Sequence, residues 1–160
     1  MKESIKEGLS FGLTSGVITT LGMIVGLNSG IGSKLAVLGG ILIIAVADAF
    51  SDALGIHLAK ESDKKSEQRH VWRATIATFI SKFIVALTFT VPFLFFNLRN
   101  SIIVCIVWGL LLLSILSYSI AKSKSESPWK VIFEHVLIAV VVIIITNYVG
   151  QLIPRLFGSL

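Results

Sequence analysis

Residues 35–59, LAVLGGILIIAVADAFSDALGIHLA, form an apolar run that contains two acidic side chains, Asp48 and Asp52, and no Lys or Arg. A helix rises about 1.5 Å per residue, so this run is long enough to cross the ~30 Å hydrocarbon core of a bilayer. Inside lipid, a single segment satisfies its own backbone hydrogen bonds only as a helix. The run therefore predicts a transmembrane helix that carries two carboxylates.

Four other runs have the same character, and the chain as a whole is 54% hydrophobic with a mean hydropathy of +0.89. Such values exceed those of soluble domains. We therefore predict an all-α integral membrane protein, a single transmembrane domain over residues 1–160, with the lipid bilayer as its surroundings. The predicted spans are residues 8–27, 35–59, 74–96, 101–121 and 131–153.

Basic residues lie mainly on one side of the predicted membrane. That side has ten: Lys2, Lys6, Lys60, Lys64, Lys65, Arg69, Arg73, Lys122, Lys124 and Lys130. The other side has Lys34, Arg99 and Arg155, and Lys82 lies within a span. Because basic residues collect on the cytoplasmic side, the N-terminus is predicted in the cytoplasm and the C-terminus on the opposite side. We expect the cell membrane, and the net charge of +5 then needs no nucleic acid partner.

Small residues recur every three or four positions in the first two spans. In the first span they are Gly8, Gly12, Ser15, Thr19, Gly22 and Gly26; in the second, Ala45, Asp48, Asp52, Gly55 and Ala59 complete a similar stripe. Small side chains allow helices to approach closely in lipid. The stripes predict that these helices pack on each other or on a symmetry mate. Packing explains the glycines but not the aspartates.

Asp48 lies 14 residues from Lys34 and 12 from Lys60, close to the middle of its span. A charged residue at this depth costs about 2.5–3.5 kcal/mol on insertion scales. We expect Asp48 to have no partner nearby and hence to bind a proton, since the charged form is costly there. A carboxyl group that exchanges protons beside a second carboxylate is typical of a cation pathway.

Lys82 lies nine residues from Arg73, much as Asp52 lies eight from Lys60. Because consecutive spans run antiparallel, Lys82 and Asp52 should share one depth, and Ser15 should belong to the same layer. One interpretation is an ion pair that only fixes the helix register. The other is a transport site, since carboxylate oxygens suit Mn²⁺, Mg²⁺ or Fe²⁺.

His57 adds a possible ligand or proton carrier near the end of the second span. It follows Asp52 by five residues, about 140° round the helix, so joint ligation of one ion is not expected. The sequence contains no nucleotide-binding loop, nucleophile elbow or zinc-type Cys/His spacing. We therefore expect a protein that is not an enzyme and has no resident cofactor.

Three stretches resemble the vacuolar iron transporter family. SFGLTSGVITTLGMIVG (10–26) is similar to the first-helix signature of that family, SDALGIHLA (51–59) to its second helix, and SPWKVIFEHVLIAVVVIIITNYVGQLI (127–153) to its last span. The residues that match in the first stretch are Gly12, Gly16, Thr19, Thr20, Gly22 and Gly26. The resemblance implies a homodimer whose first helices line a central path that exchanges Fe²⁺ or Mn²⁺ for protons.

The chain departs from this pattern at the family's metal positions. Ser15 stands where the family has aspartate, Asp52 where it has methionine, and Ile56 where it has glutamate. The family's glutamate-rich metal-binding insertion is reduced to residues 60–73, KESDKKSEQRHVWR. We interpret Asp52 as a relocated acid facing the same layer as Ser15, with Asp48 added one turn deeper.

The sequence therefore predicts a proton-coupled transporter of divalent cations of the iron or manganese class. Asp48 and Asp52 are the predicted metal ligands, and the predicted path is lined by Ser15, Thr19, Asp48, Asp52, His57 and Lys82. Two alternatives are open. One is a non-transporting scaffold or assembly protein that retains the fold, and the other is a carrier of another cationic or small organic substrate.

Overall fold

The structure, a computed structural model, describes residues 2–63 and 67–158, and those residues form helices joined by short turns. Five segments of 27–30 residues are long and apolar enough to cross a membrane. For the described residues, the predictions of an all-α fold and of five helices long and apolar enough to span a membrane are thus confirmed. The helices are α1 (Lys2–Gly30), α2 (Lys34–Glu61), α3 (Gln68–Thr88), α4 (Val91–Phe95), α5 (Leu98–Lys124) and α6 (Pro128–Phe157).

The third span is built from two helices, α3 and α4. The α3 helix ends at Thr88, and α4 begins at Val91 with Pro92 in its first turn. Proline has no N–H group to donate and its ring clashes with the preceding turn of a helix. Pro92 therefore begins a new helix after the break in the third span.

The α1 helix is the centre of the bundle, because it packs against α2, α3, α5 and α6. In the most apolar part of α1, 50% of the residues are buried, compared with 11% in α6. Large apolar side chains are exposed on the outer helices, as on α2 (Leu42, Ile43, Phe50) and α6 (Ile144, Ile145). Such an apolar exterior is the one that a bilayer covers.

We call the end where α1 begins the basic end. There Glu7 of α1 forms an ion pair with Lys60, near the end of α2. At the other end Ser29 donates a hydrogen bond to Asn147 of α6, with 2.5 Å between the oxygens. The long helices therefore alternate in direction, as the predicted spans require.

The glycine stripe of α1 contacts α3 rather than α2. A Cβ atom on Gly12 would lie 2.5 Å from the Thr78 carbonyl oxygen, and one on Gly8 would lie 3.0 Å from the Ala77 Cβ. Farther along α1, Gly22 and Gly26 approach Thr146 of α6. The glycines of this stripe follow α3 and then α6, whereas Ser15 of the same stripe contacts Asp52 of the α2 stripe. The expected packing of the two stripes on each other therefore holds at Ser15 and not at these glycines.

Gly12 is expected to be one of the least replaceable glycines in the fold. In Gly12→Ala the added methyl group would meet both the Thr78 carbonyl oxygen and the Ser81 hydroxyl, so α1 and α3 must separate. Gly39 of α2 has open space around its Cβ position, so Gly39→Ala is the matched control. We expect a lower thermal unfolding midpoint in detergent for Gly12→Ala and, since alanine favours helix by about 1 kcal/mol, an unchanged or higher one for Gly39→Ala. Equal midpoints would contradict the close α1–α3 contact.

Candidate functional site

Lys82 is the charged side chain at the centre of the bundle, and it is only 1% exposed. It projects from α3 across α1, where Gly16 leaves the room for its aliphatic stem. A Cβ atom on Gly16 would lie 3.2 Å from the Lys82 Cγ. The local sequence thus brings an ammonium group from α3 to the contact between α1 and α2.

Three oxygen atoms surround the Lys82 ammonium. Its Nζ atom donates hydrogen bonds to the Ser15 Oγ at 2.9 Å and to the Asp52 Oδ2. The Ser15 hydroxyl in turn donates to the same Asp52 oxygen at 2.6 Å. Lys82, Asp52 and Ser15 therefore lie in one layer, which confirms the prediction made from their spacing.

Asp48 also faces this ammonium, with 2.6 Å between its Oδ2 and the Lys82 Nζ. The expectation that Asp48 lacks a nearby partner is wrong, because the four residues between Asp48 and Asp52 place both carboxylates on one face of α2. Among the described residues, the Asp48 Oδ2 accepts no hydrogen bond of normal geometry although it is buried. The contact between Asp48 and Lys82 is thus ionic.

The two carboxylates and one ammonium leave one net negative charge at this point of the bundle. At an effective dielectric constant of about 20, each opposite pair at such distances attracts by about 6 kcal/mol before desolvation is counted. Desolvation offsets much of this attraction, so a buried ion pair is a weak stabiliser as a whole but is costly to break. The side chains of Asp48 and Asp52 are still 25% and 20% exposed in the single chain.

Thr19 and His57 do not reach the carboxylates. The Thr19 hydroxyl donates to the Ser15 carbonyl oxygen at 2.9 Å, within α1. The His57 Nδ1 lies 3.0 Å from the Thr75 hydroxyl, which itself donates to the backbone of α3. Since the hydroxyl hydrogen is already used, the His57 Nδ1 is the donor of that bond.

His57 instead lies in a groove between α2 and α3, away from Asp52. The groove has a volume of about 360 Å³. The Trp72 indole packs edge-on against the His57 imidazole, with 4.8 Å between the ring centroids. Glu61, one turn later on α2, lies 3.8 Å from the His57 Nε2. The part of His57 in a transport path stays a prediction.

A larger groove, which we call the entry groove, opens at the basic end and has a volume of about 1060 Å³. Thr14 and Ile56 belong to its lining, and each lies within about one turn of Ser15 or Asp52. Neither Asp48 nor Asp52 lines it. The lining residues are Glu3, Lys6, Glu7, Ser10, Phe11, Thr14, Ile56, Ala59, Lys60, Asp63, Ile120, Ser123, Lys124 and His135.

His135 is a residue of the entry groove that sequence reasoning missed. Its Nδ1 lies 2.8 Å from the Ser117 hydroxyl, which donates to the Leu113 carbonyl oxygen at 2.6 Å. The His135 Nδ1 is therefore the donor of this hydrogen bond. Because His135 lies near the start of its span, no sequence signal separates it from an ordinary solvated histidine.

Among the residues that the structure describes, no group of three or more His, Cys, Asp or Glu side chains is placed to hold a metal ion. Asp48 and Asp52 supply two carboxylates from one chain. A metal bound at this layer would need further oxygen atoms from water or a second chain, because Mn²⁺, Mg²⁺ and Ca²⁺ sites usually hold six or more.

The sequence matches no protein-family model and no curated protein. The likeness to vacuolar iron transporters therefore rests on the residues quoted above.

Proposed function

We propose that this protein is a proton-coupled transporter of divalent metal cations of the iron or manganese class, which works as a homodimer. The observation that carries the proposal is the layer formed by Asp48, Asp52, Ser15 and Lys82 in the middle of an apolar bundle. Ionisable groups at such depth are costly and are typical of ion and proton pathways. Carboxylate and hydroxyl oxygens are suitable ligands for the proposed cations.

The entry groove supports this proposal because it leads toward that layer. It contains acidic and basic side chains as well as His135, and it reaches to within about one turn of Ser15 and Asp52. Ile56 of the lining follows Asp52 by four residues, which is about one helical turn or roughly 5 Å along α2. With the proposed orientation the groove opens to the cytoplasm, and the protein lies in the cell membrane.

The exposed face of α2 beside the carboxylates supports the homodimer. Ala47, Ser51 and Gly55 are exposed there, and a Cβ atom on Gly55 would meet nothing within 4 Å. Small residues at four-residue spacing suit close helix contacts in lipid. A second copy would shield the exposed part of Asp48 from lipid, and together two chains would present four carboxylates and two ammonium groups to a shared path.

A non-transporting scaffold is the second candidate function, and one observation favours it. The Lys82 ammonium already occupies the space between the two carboxylates, as a pair that merely fixes helix register would. In that case the layer would hold α1, α2 and α3 together without admitting an ion.

The two functions are separated by measuring metal uptake into proteoliposomes with a pH dye inside, using Fe²⁺, Mn²⁺, Co²⁺ and Mg²⁺ in turn. Saturable uptake with proton counter-flow is the result that we expect. Absence of flux for every ion, from protein shown to be folded and dimeric, would favour the scaffold. Uptake of an organic cation that these metals do not inhibit would favour the third alternative.

A further inference from the structure

We propose that Lys82 is the specificity-determining residue of the path, because its ammonium sets the charge of the cation that the carboxylates accept. The inference rests on the proposed function and assigns Lys82 a role that goes beyond fixing helix register. It predicts that selectivity among cations follows the net charge of the layer rather than the number of oxygen ligands alone.

The contacts of Lys82 are the first argument for this role. A lysine that only fixes register needs one acidic partner, and Asp52 with Ser15 already provides a carboxylate and a hydroxyl. Asp48 is a second carboxylate at 2.6 Å, and its buried Oδ2 accepts no hydrogen bond of normal geometry in the described part of the chain. The second carboxylate thus leaves a surplus negative charge that the fold does not neutralise.

The position of Lys82 in the fold is the second argument for this role. Its side chain is 2% exposed and passes over Gly16, where a side chain on α1 would obstruct it. The fold therefore holds the Lys82 Nζ in one place, facing both carboxylates. Each chain contributes one net negative charge, so two chains facing one path match one divalent cation.

Without Lys82 the same carboxylates would carry twice the negative charge per chain. Coulomb attraction scales with the product of charges, so the excess favours a trivalent over a divalent cation. Neutralising Asp48 has the opposite effect, since the layer then has no net charge. The ratio of La³⁺ to Mn²⁺ affinity is therefore a direct measure of the role that we assign to Lys82.

The test is binding of Mn²⁺ and of La³⁺ to the purified full-length protein in detergent, by titration calorimetry. We expect Lys82→Met to raise the La³⁺/Mn²⁺ affinity ratio by at least about tenfold, a change worth about 1.4 kcal/mol. Lys82→Arg keeps the charge and should keep the ratio. Asp48→Asn should lower the ratio, and the double variant Lys82→Met with Asp52→Asn, which restores one net negative charge, should return it toward the wild-type value.

The Asp48→Asn and double variants keep the inference testable even where Lys82→Met does not fold. A ratio that is the same in wild type, Asp48→Asn and the double variant would overturn it, because affinity would then follow ligand loss and not charge. Size-exclusion chromatography in detergent establishes that each variant is folded before titration.

Failure of this inference is distinguishable from failure of the proposed function. Metal flux in proteoliposomes together with a charge-independent affinity ratio would overturn the role of Lys82 alone. Charge-dependent binding without flux would overturn transport and leave a cation-binding layer. Wild-type protein that binds neither Mn²⁺ nor La³⁺ and shows no flux would overturn both.

Discussion

Replacing Asp52 by asparagine is expected to reduce proteoliposome metal flux by about 100-fold or more, the equivalent of at least about 2.8 kcal/mol. Asp52 accepts hydrogen bonds from both Lys82 and Ser15. Replacement by asparagine removes the negative charge that accepts these two hydrogen bonds. It also removes one of the two carboxylates that a cation in this layer would meet. Flux is measured with Mn²⁺ outside and a pH dye inside.

Glu134→Gln is the matched control for this experiment. Glu134 is an exposed carboxylate of α6 that does not line the entry groove, so its neutralisation should leave flux within about twofold of wild type, less than 0.5 kcal/mol. Asp52→Asn protein that is folded and transports at the wild-type rate would contradict the assignment of Asp52 to the path. Equal losses in both variants would point to reconstitution and not to the site.

Replacing Lys82 by methionine is expected to lower the free energy of unfolding by about 3–5 kcal/mol. Methionine fills much of the same space over Gly16 but leaves Asp48 and Asp52 facing each other without a cation. For a chain of this size we expect the thermal unfolding midpoint in detergent to fall by roughly 10 °C. The midpoint is followed by circular dichroism.

Lys130→Met provides the control for charge removal, since Lys130 is exposed at the start of α6. Its midpoint should lie close to that of wild type. In the triple variant, Asp48→Asn and Asp52→Asn together with Lys82→Met, no charge is left unpaired, so we expect recovery of most of the lost stability. A Lys82→Met midpoint no lower than that of Lys130→Met would contradict the ion layer.

Much of the fold could be predicted from the sequence, because apolar runs of membrane length have few alternatives in lipid. The shared depth of Asp52, Lys82 and Ser15 also followed from counting residues along antiparallel spans. These inferences need only the rise of a helix and the positions of the flanking charges. They do not need to know which side of each helix faces its neighbours.

The helix partners required more than counting. The stripe at Gly8 and Gly12 indicated a close helix contact, but a stripe of small residues does not identify which helix fits against it. Asp48 was expected to lack a partner because depth alone was considered. A lysine side chain is long enough to contact residues on two successive turns of α2. The spacing of residues along α3 does not show which residues of α2 it contacts. His135 was missed for a similar reason, since its partner Ser117 lies on another helix.

The break before Pro92 makes the third membrane crossing depend on side chains of the fourth. Side chains of α5 satisfy the backbone at the break: the Ser101 hydroxyl donates to the Pro92 carbonyl oxygen at 3.1 Å, and the Cys105 thiol donates to that of Phe89 at 3.5 Å. Selection acting on the third crossing is therefore exerted in part on positions of the fourth. A substitution at Ser101 or Cys105 therefore affects both the third and the fourth membrane crossing. Tolerated substitutions at these positions should accompany substitutions near Pro92.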